Sequence, residues 1–349
     1  MGKLVDEIRG WQQNLQPAKA IPASTADRVS PAGDRVLAIA CVDARINPKR
    51  FKKGGKPFAV GNGYIVRNIA ARVLGPGGPD GDEEEKLLTE AIKSGVKCIR
   101  IIPHNHCGGI GACMCGKGGP RLKKYLGSLA DVHEDALKFS DNDAKNLRCL
   151  EARSVLDSVN KLKLHKVVQE AFDAKKLRIE PYLLDTATGE LMDPETALRD
   201  FSEHECKPPP HEPKMLIICN MDATLLPQDD LHTADGPLGD GKALIYRTQD
   251  GVVKGPASDK EAAMIEFALD GKVEDIVVLG KTGGHDSPEA RAAQKDKIRH
   301  SVAALKRSYP ETNSIQVRGW VIDPATQRIE EMDPATGRFS PMGLAAISR

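Results

Sequence analysis

The sequence predicts an α/β protein made of two tandem repeats, each with a mostly parallel sheet flanked by helices. Three observations favour this class: short apolar runs alternate with helix-like segments, the alternation occurs twice, and similar motifs recur at a nearly constant separation. The chain has 349 residues, of which 40% are hydrophobic and 28% charged, so it can bury a full core and form about two domains.

The first half of the chain contains four apolar runs whose lengths are typical of buried strands. They lie at residues 36–40, 64–66, 98–102 and 182–184. Helix-like patterns lie between them at residues 82–94 and 154–172. Since parallel strands need a crossover connection, usually a helix, this order predicts a mostly parallel sheet.

The second half repeats this order. Its strand-like runs are residues 215–218, 243–246, 276–279 and 317–322, and its helical patterns are residues 259–269 and 287–307. Motifs correspond as well: CVDARINP at 41–48 matches NMDATLLP at 220–227, and YIVRN at 64–68 matches LIYRT at 244–248, with offsets of 179 and 180. We interpret the chain as two copies of one unit.

The end of each copy carries another shared motif, at a smaller offset. LLDTATGELMDP at 183–194 matches VIDPATQRIEEMDP at 321–334, so the offset has fallen to 138–140 and the first copy holds about 40 extra residues, which we place at 108–150. KPPPHEP at 207–213 cannot continue a helix and reads as a linker. The predicted organisation is an N-terminal helical arm at 1–34, a first domain at 35–205 and a second domain at 206–349.

The composition restricts partners and location. Lys plus Arg total 50 and Asp plus Glu total 49, so a net charge of +1 provides no general attraction to nucleic acid or an anionic membrane. The N-terminus lacks the apolar segment of a signal peptide, and no run of 18 apolar residues occurs, so we expect a cytoplasmic protein. The eight cysteines are unevenly spaced, which suits thiols or metal ligands better than disulfides.

Three metal-binding side chains stand at the ends of predicted strands. Cys41 ends the first strand, and His104 and Cys107 follow the third within PHNHCGG. The carboxyl ends of neighbouring parallel strands face one crevice, so these side chains can meet. A Cys2His set leaves one tetrahedral position for water, which is typical of catalytic zinc. His106 could replace His104, although the H-x-x-C spacing favours His104.

These motifs, in this order, resemble those of the β-class carbonic anhydrases. C-x-D-x-R ends the first strand, IVRN follows about twenty residues later, and H-x-x-C-G ends the next strand; the resemblance covers residues 35–195. It implies reversible hydration of carbon dioxide to bicarbonate by hydroxide held on one zinc ion per chain. It also implies that the zinc ligands are Cys41, His104 and Cys107, with Asp43 and Arg45 as a catalytic dyad.

The dyad also has a physical rationale. Two thiolates neutralise the charge of zinc, so the metal should acidify its water less than an all-histidine site does. An ionised Asp43 can orient the hydroxide, and a bidentate Arg45 can hold that carboxylate away from the metal.

The second copy lacks the matching ligands. Asn220 replaces Cys41, Thr224 replaces Arg45, and Lys281 and Gly284 stand at the other two ligand positions, while Asp222 is retained. We therefore expect no zinc in this copy. Because the resembled family builds its sites between like subunits, the second copy could act as a built-in partner, giving a pseudo-dimer.

Other features have less specific interpretations. Cys113 and Cys115, in GACMCGKGG, could form a redox pair or second metal site, but an inert loop is favoured. That segment lacks the Ser or Thr that a P-loop needs after Lys117. His211 stands where a partner residue of the family can reach the substrate and could shuttle protons, although a solvated linker histidine is favoured.

Two alternative functions remain open. The same zinc site could hydrolyse carbonyl sulfide or carbon disulfide, as relatives of this fold do. The degenerate copy and the insertion at 108–150 could instead serve a non-catalytic assembly or scaffold protein. For the leading function we expect carbon dioxide and bicarbonate as small-molecule partners, no nucleic acid or membrane, and a homo-oligomer of pseudo-dimers or a larger assembly.

Overall fold

The computed structural model places most of the chain in regular elements. It describes residues 3–14, 34–43, 45–59, 62–78, 80–199, 213–221, 227, 231–233, 236–238, 241–248, 251–255, 258–282, 286–323 and 326–342. No helix among these residues is long and apolar enough to cross a membrane.

The strands are short and mostly buried. They are β1 (Arg35–Cys41), β2 (Lys52–Lys53), β3 (Lys56–Pro57), β4 (Asn62–Asn68), β5 (Val96–Ile102), β6 (Arg178–Pro181), β7 (Leu183–Leu184), β8 (Leu191–Met192), β9 (Met215–Asn220), β10 (His232–Thr233), β11 (Gly236–Pro237), β12 (Ala243–Thr248), β13 (Asp275–Lys281), β14 (Gln316–Asp323), β15 (Arg328–Met332) and β16 (Phe339–Pro341).

The helices connect and flank these strands. They are α1 (Lys3–Asn14), α2 (Gly81–Lys93), α3 (Gly108–Met114), α4 (Pro120–Leu126), α5 (Ala130–Leu137), α6 (Asp143–Lys163), α7 (Lys166–Asp173), α8 (Pro194–Arg199), α9 (Asp259–Asp270) and α10 (Pro288–Ser308).

One ten-stranded sheet runs through the described chain. Its order is β16-β15-β14-β13-β9-β12-β4-β1-β5-β6. The central strands pair in parallel within each half, β4-β1-β5-β6 in the first and β12-β9-β13-β14 in the second. The predicted α/β class with a mostly parallel sheet flanked by helices is confirmed, whereas the pseudo-dimer remains a prediction.

The first strand shows why this sequence forms a central strand. Every β1 residue after Arg35 is buried, which fits its apolar and β-branched composition and its parallel neighbours on both sides. β4 approaches it closely at Gly63, where φ is +145° and a Cβ atom would lie 2.1 Å from the Val36 carbonyl oxygen. Only glycine fits there, so Gly63 sets the contact between these strands.

The two halves meet where β4 pairs with β12 in antiparallel orientation. Arg67 lies opposite Arg247 in this pair. Two backbone bonds flank the joint: Ile245 N–H donates to the Val42 carbonyl at 2.7 Å, and Ile65 N–H donates to the Met221 carbonyl at 2.9 Å. Since these pairs correspond under the predicted offset of 179–180, the joint is reciprocal, which supports the two-copy interpretation.

Helix caps also cross between the halves. Asp80, before α2, accepts hydrogen bonds from Asp259 N–H and Lys260 N–H at the start of α9. Glu266 of α9 accepts from Leu122 N–H at 2.8 Å at the start of α4. Carboxylates satisfy the unpaired N–H groups that begin a helix, so each half caps a helix of the other. The inserted segment at 108–150 therefore contacts the second half through the start of α4.

The N-terminal helix covers part of the second half. Leu4, Val5 and Ile8 of α1 are buried in a cluster with β9, β12, β13 and β14 side chains. Arg9 forms an ion pair with Glu331 of β15 at 2.8 Å. The predicted arm therefore contains a helix that packs on residues more than 200 positions later.

Three local expectations need correction. The helical pattern at 154–172 is interrupted after Lys163, and the buried His165 ring separates α6 from α7. Tyr182 lies between β6 and β7 rather than within one strand. The segment expected to be an inert loop is partly helical, because Cys113 lies within α3 and Cys115 follows its end.

Candidate metal centre

Cys41, His104 and Cys107 come together at the carboxyl edge of the sheet. Their ligand atoms lie within 4.8 Å of one another, and all three residues are buried. Cys41 is the last residue of β1, His104 lies two residues beyond β5, and Cys107 directly precedes α3. Within the described part of the chain, no other group of His, Cys, Asp and Glu side chains has this arrangement.

The orientation of His104 suits metal binding. Its Nδ1 lies 2.8 Å from the Asn105 carbonyl oxygen, to which Nδ1–H donates. That bond leaves the lone pair on Nε2, which is buried and makes no hydrogen bond to any described residue. A buried polar atom without a partner is costly. A cation among the three ligand atoms would satisfy it, and the nitrogen and two sulfurs match the preference of zinc.

The two thiols share one polar environment. Their Sγ atoms lie 3.9 Å apart. Burial alone would raise the pKa of Cys41, but the hydrogen bond with Cys107 and the nearby His104 lower it well below its usual value. The same contact with Cys41, together with burial, raises the pKa of Cys107. Cys41 is thus the more acidic of the two thiols.

Asp43 and Arg45 form a buried pair beside the ligands. Arg45 Nε lies 3.0 Å from both carboxylate oxygens, and Nη2 lies 2.5 Å from Oδ2. Asp43 Oδ2 also lies 3.7 Å from His104 Nε2. The carboxylate therefore faces the ligand set while the arginine holds it.

Three further hydrogen bonds fix this arrangement. Arg45 Nη2 donates to the His106 carbonyl oxygen at 3.0 Å. Arg67 of β4 donates to the carbonyl oxygens of Cys41 at 3.3 Å and Asp43 at 3.0 Å. Arg67 was not assigned a role from sequence, although its position in the repeated YIVRN motif was a signal for it.

The second half lines one side of the centre. Asp43 forms an isolated antiparallel bridge with Leu244 of β12. This contact, next to the Val42 to Ile245 bond, places the second half directly behind the strand end that carries Cys41 and Asp43.

Comparison with known proteins identifies the family. A sequence model of the carbonic anhydrase family matches residues 36–191. Residues 36–191 belong to the carbonic anhydrase family. This part of the chain is thus an enzyme domain of that family, and it contains all three candidate ligands and both members of the dyad.

Individual carbonic anhydrases match this chain at low sequence identity. A carbonic anhydrase of Synechococcus elongatus is 23% identical over 220 residues, which cover 59% of this chain and 76% of the relative. A solved tetrameric β-carbonic anhydrase of Sordaria macrospora is 21% identical, covers 49% of this chain and 86% of its own, and gives a TM-score of 0.40. The Coccomyxa enzyme in complex with acetazolamide is 18% identical, with 54% and 83% covered and a TM-score of 0.39.

The corresponding positions outside the matched carbonic anhydrase region differ in chemistry. Asn220 ends β9 and Lys281 ends β13. Cys219 is fully buried in the cluster beneath α1, on the face opposite the position equivalent to Cys41. Asp222, Thr224, Gly284 and the proposed proton shuttle His211 lie outside the described residues.

Proposed function

We propose that the chain catalyses the reversible hydration of carbon dioxide to bicarbonate with one zinc ion held by Cys41, His104 and Cys107. The observation that carries this proposal is the Asp43 carboxylate, held by Arg45 at 3.7 Å from the unpaired Nε2 of His104. A scaffold protein would not need a buried acid restrained beside a Cys2His set. When bound, zinc would acidify a water molecule and present it as a nucleophile.

The chain's own side chains would direct that chemistry. The Asp43 carboxylate, paired with Arg45, would accept a hydrogen bond from the nucleophile, which would turn a lone pair toward the carbon of carbon dioxide. Arg45 prevents Asp43 from moving onto the metal, because three of its contacts bind the two carboxylate oxygens. Arg67 keeps the backbone of both Cys41 and Asp43 in place.

We further propose the predicted division of labour along the chain. Residues 35–205 form the catalytic domain, and residues 206–349 form a degenerate domain without metal that takes the place of a partner subunit. The bridge between Asp43 and Leu244 and the reciprocal joint at β4 and β12 support this arrangement. In this pseudo-dimer helix α1, within the 1–34 arm, stabilises the second domain. The expected homo-oligomer would then be an assembly of several such pseudo-dimers.

Stopped-flow measurement of carbon dioxide hydration, on protein of known zinc content, tests the proposal. Asp43→Asn is the matched variant, because it keeps the shape of the side chain but removes its charge. We expect fast hydration that this substitution lowers by about 100-fold while zinc is retained. Bound zinc without hydration would favour carbonyl sulfide or carbon disulfide as the substrate. Absence of zinc would favour an assembly role.

A further inference from the structure

We propose that His106, Arg148 and Glu151 form a positioning relay that holds Cys107 and its loop ready for metal binding. This inference rests on the proposed zinc site, gives His106 a role other than that of a ligand, and adds Arg148 and Glu151, which the sequence motifs do not contain. All three lie outside the ligand set, and two of them lie on α6, more than 40 positions after Cys107.

The relay begins at the backbone of Cys107. Glu151 Oε1 accepts the Cys107 N–H at 3.0 Å. Glu151 is only 1% exposed, and a carboxylate at such depth is costly unless both oxygens are paired. A neutral side chain would fill the same space at lower cost. The acid is therefore best explained by the bond that it makes to the ligand residue.

Arg148 completes the pairing of this acid. Arg148 lies about one helical turn before Glu151, and its Nη1 donates to Glu151 Oε2 at 2.6 Å. The two carboxylate oxygens are thus divided between the ligand backbone and the arginine. With both oxygens occupied, Glu151 cannot rotate away from Cys107 without breaking an ion pair.

The other end of Arg148 reaches His106. Its Nη2 contacts both ring nitrogens of His106, Nδ1 at 2.7 Å and also Nε2. His106 has a left-handed backbone, φ +53°, and its carbonyl oxygen accepts from Arg45. The loop between His104 and Cys107 is therefore held by two arginines. Arg45 binds the backbone carbonyl of His106, and Arg148 contacts its ring. This explains a histidine next to a ligand cysteine that is not itself part of the ligand set.

These contacts restrict the backbone conformation at His106 and Cys107. A left-handed non-glycine residue costs free energy and persists where the surroundings fix it. Hydrogen bonds at the carbonyl of His106 and the N–H of Cys107, together with the contact of Arg148 with the His106 ring, fix the direction in which the Cys107 side chain leaves the backbone. Contacts of this kind around metal sites typically change metal affinity by about 10–100-fold.

Metal affinity and the spectrum of the cobalt-substituted protein test the relay without relying on turnover. Zinc dissociation constants would be measured by competition with a chromophoric chelator, and the visible bands of Co²⁺ report the thiolate geometry. Glu151→Ala and Arg148→Ala should weaken zinc binding by about 10–100-fold and shift the Co²⁺ bands. Glu151→Gln keeps an oxygen for Cys107 N–H and should retain more affinity than Glu151→Ala.

Arg153→Ala is the matched control. Arg153 lies on the same helix, and its side chain contacts Asp135 and Cys149 rather than Glu151 or Cys107, so its loss should leave zinc affinity and the Co²⁺ spectrum unchanged. Wild-type affinity and an unshifted spectrum in folded Glu151→Ala or, if that variant does not fold, in Arg148→Ala would overturn the relay. Tight zinc binding without hydration in the wild type would contradict the proposed function while leaving the relay intact. No zinc binding in the wild type would refute both.

Discussion

Arg67 and Arg247 lie opposite each other in the strand pair that joins the two halves, and each donates to the carbonyl oxygen at the end of its own half's first strand. Arg67 reaches Cys41 at 3.3 Å, and Arg247 reaches Asn220 at 3.2 Å. Burial, together with the neighbouring Arg247, lowers the pKa of Arg67 to about 10. Two adjacent buried cations are unfavourable for folding, so we attribute their presence to the carbonyl groups that they hold.

Arg67→Met should therefore weaken zinc binding and hydration, because the carbonyl groups of Cys41 and Asp43 lose their donors. Each buried carbonyl left without a partner costs about 1–3 kcal/mol. Arg247→Met is the matched control, since Arg247 holds Asn220, where no metal is expected. It should lower the free energy of unfolding but keep zinc. Equal zinc affinity in the two variants would contradict the role of Arg67.

Arg45→Ala should retain zinc yet lose most hydration activity. Without Arg45, the Asp43 carboxylate is free to move toward the metal and displace the water. We expect a fall in turnover of about 100-fold, with metal content measured on the same sample. Arg178→Ala, at the exposed end of β6, is a control for loss of an arginine. Unchanged turnover in Arg45→Ala would rule out the restraint.

The chain should bind one zinc ion. Cys41→Ser should abolish stoichiometric zinc, whereas Cys219→Ser should not, although both are buried cysteines near the ends of equivalent strands. Cys219 faces the core beneath α1 rather than the sheet edge that carries ligands. Elemental analysis of purified protein measures both. Two zinc ions per wild-type chain would show that the second half also binds metal.

Acid should weaken a network that joins the halves. Glu84 accepts from Leu74 N–H and Gly75 N–H at 3.0 Å and pairs with Lys260 and His165 at 2.8 and 3.1 Å. Burial opposes ionisation, but Lys260 and His165 lower the pKa of Glu84 from 4.5 to about 2. A lowered folded-state pKa adds stability that is complete above about pH 4.5 and is lost as pH falls toward 2.

Glu84→Gln tests this network by denaturant unfolding at pH 7 and at pH 3. The variant should lose up to about 3 kcal/mol at pH 7, and the difference from wild type should shrink at pH 3. Glu90→Gln, on an exposed position of the same helix, should change little at either pH. A difference that stays constant with pH would contradict the assignment.

The sequence predicted that Cys41, His104 and Cys107 lie together because its signals are local. Cys41 ends an apolar run, and His104 and Cys107 lie three residues apart after another, so the geometry of parallel strands suffices to bring them together. Glu151 and Arg148 could not be found in this way. They reach Cys107 across the fold from the middle of a long helix, and their spacing is that of any ion pair on a helix surface.

The antiparallel joint was also beyond sequence reasoning. The sequence of each copy predicts the parallel strands within that copy. No motif in β4 or β12 indicates that these two strands pair with each other. The position of α1 is a similar case, because Leu4, Val5 and Ile8 indicate an amphipathic helix without indicating which surface it covers. Long-range packing decides both features.

The reciprocal joint between β4 and β12 has a consequence for how the centre behaves in dilute solution. In two separate subunits, the contact behind Asp43 would form by association and would be lost at low concentration. Here both strands belong to one polypeptide, so their encounter is intramolecular and their effective concentration is set by the linker. Specific activity should therefore be independent of enzyme concentration down to the lowest level that can be assayed, even if larger assemblies dissociate.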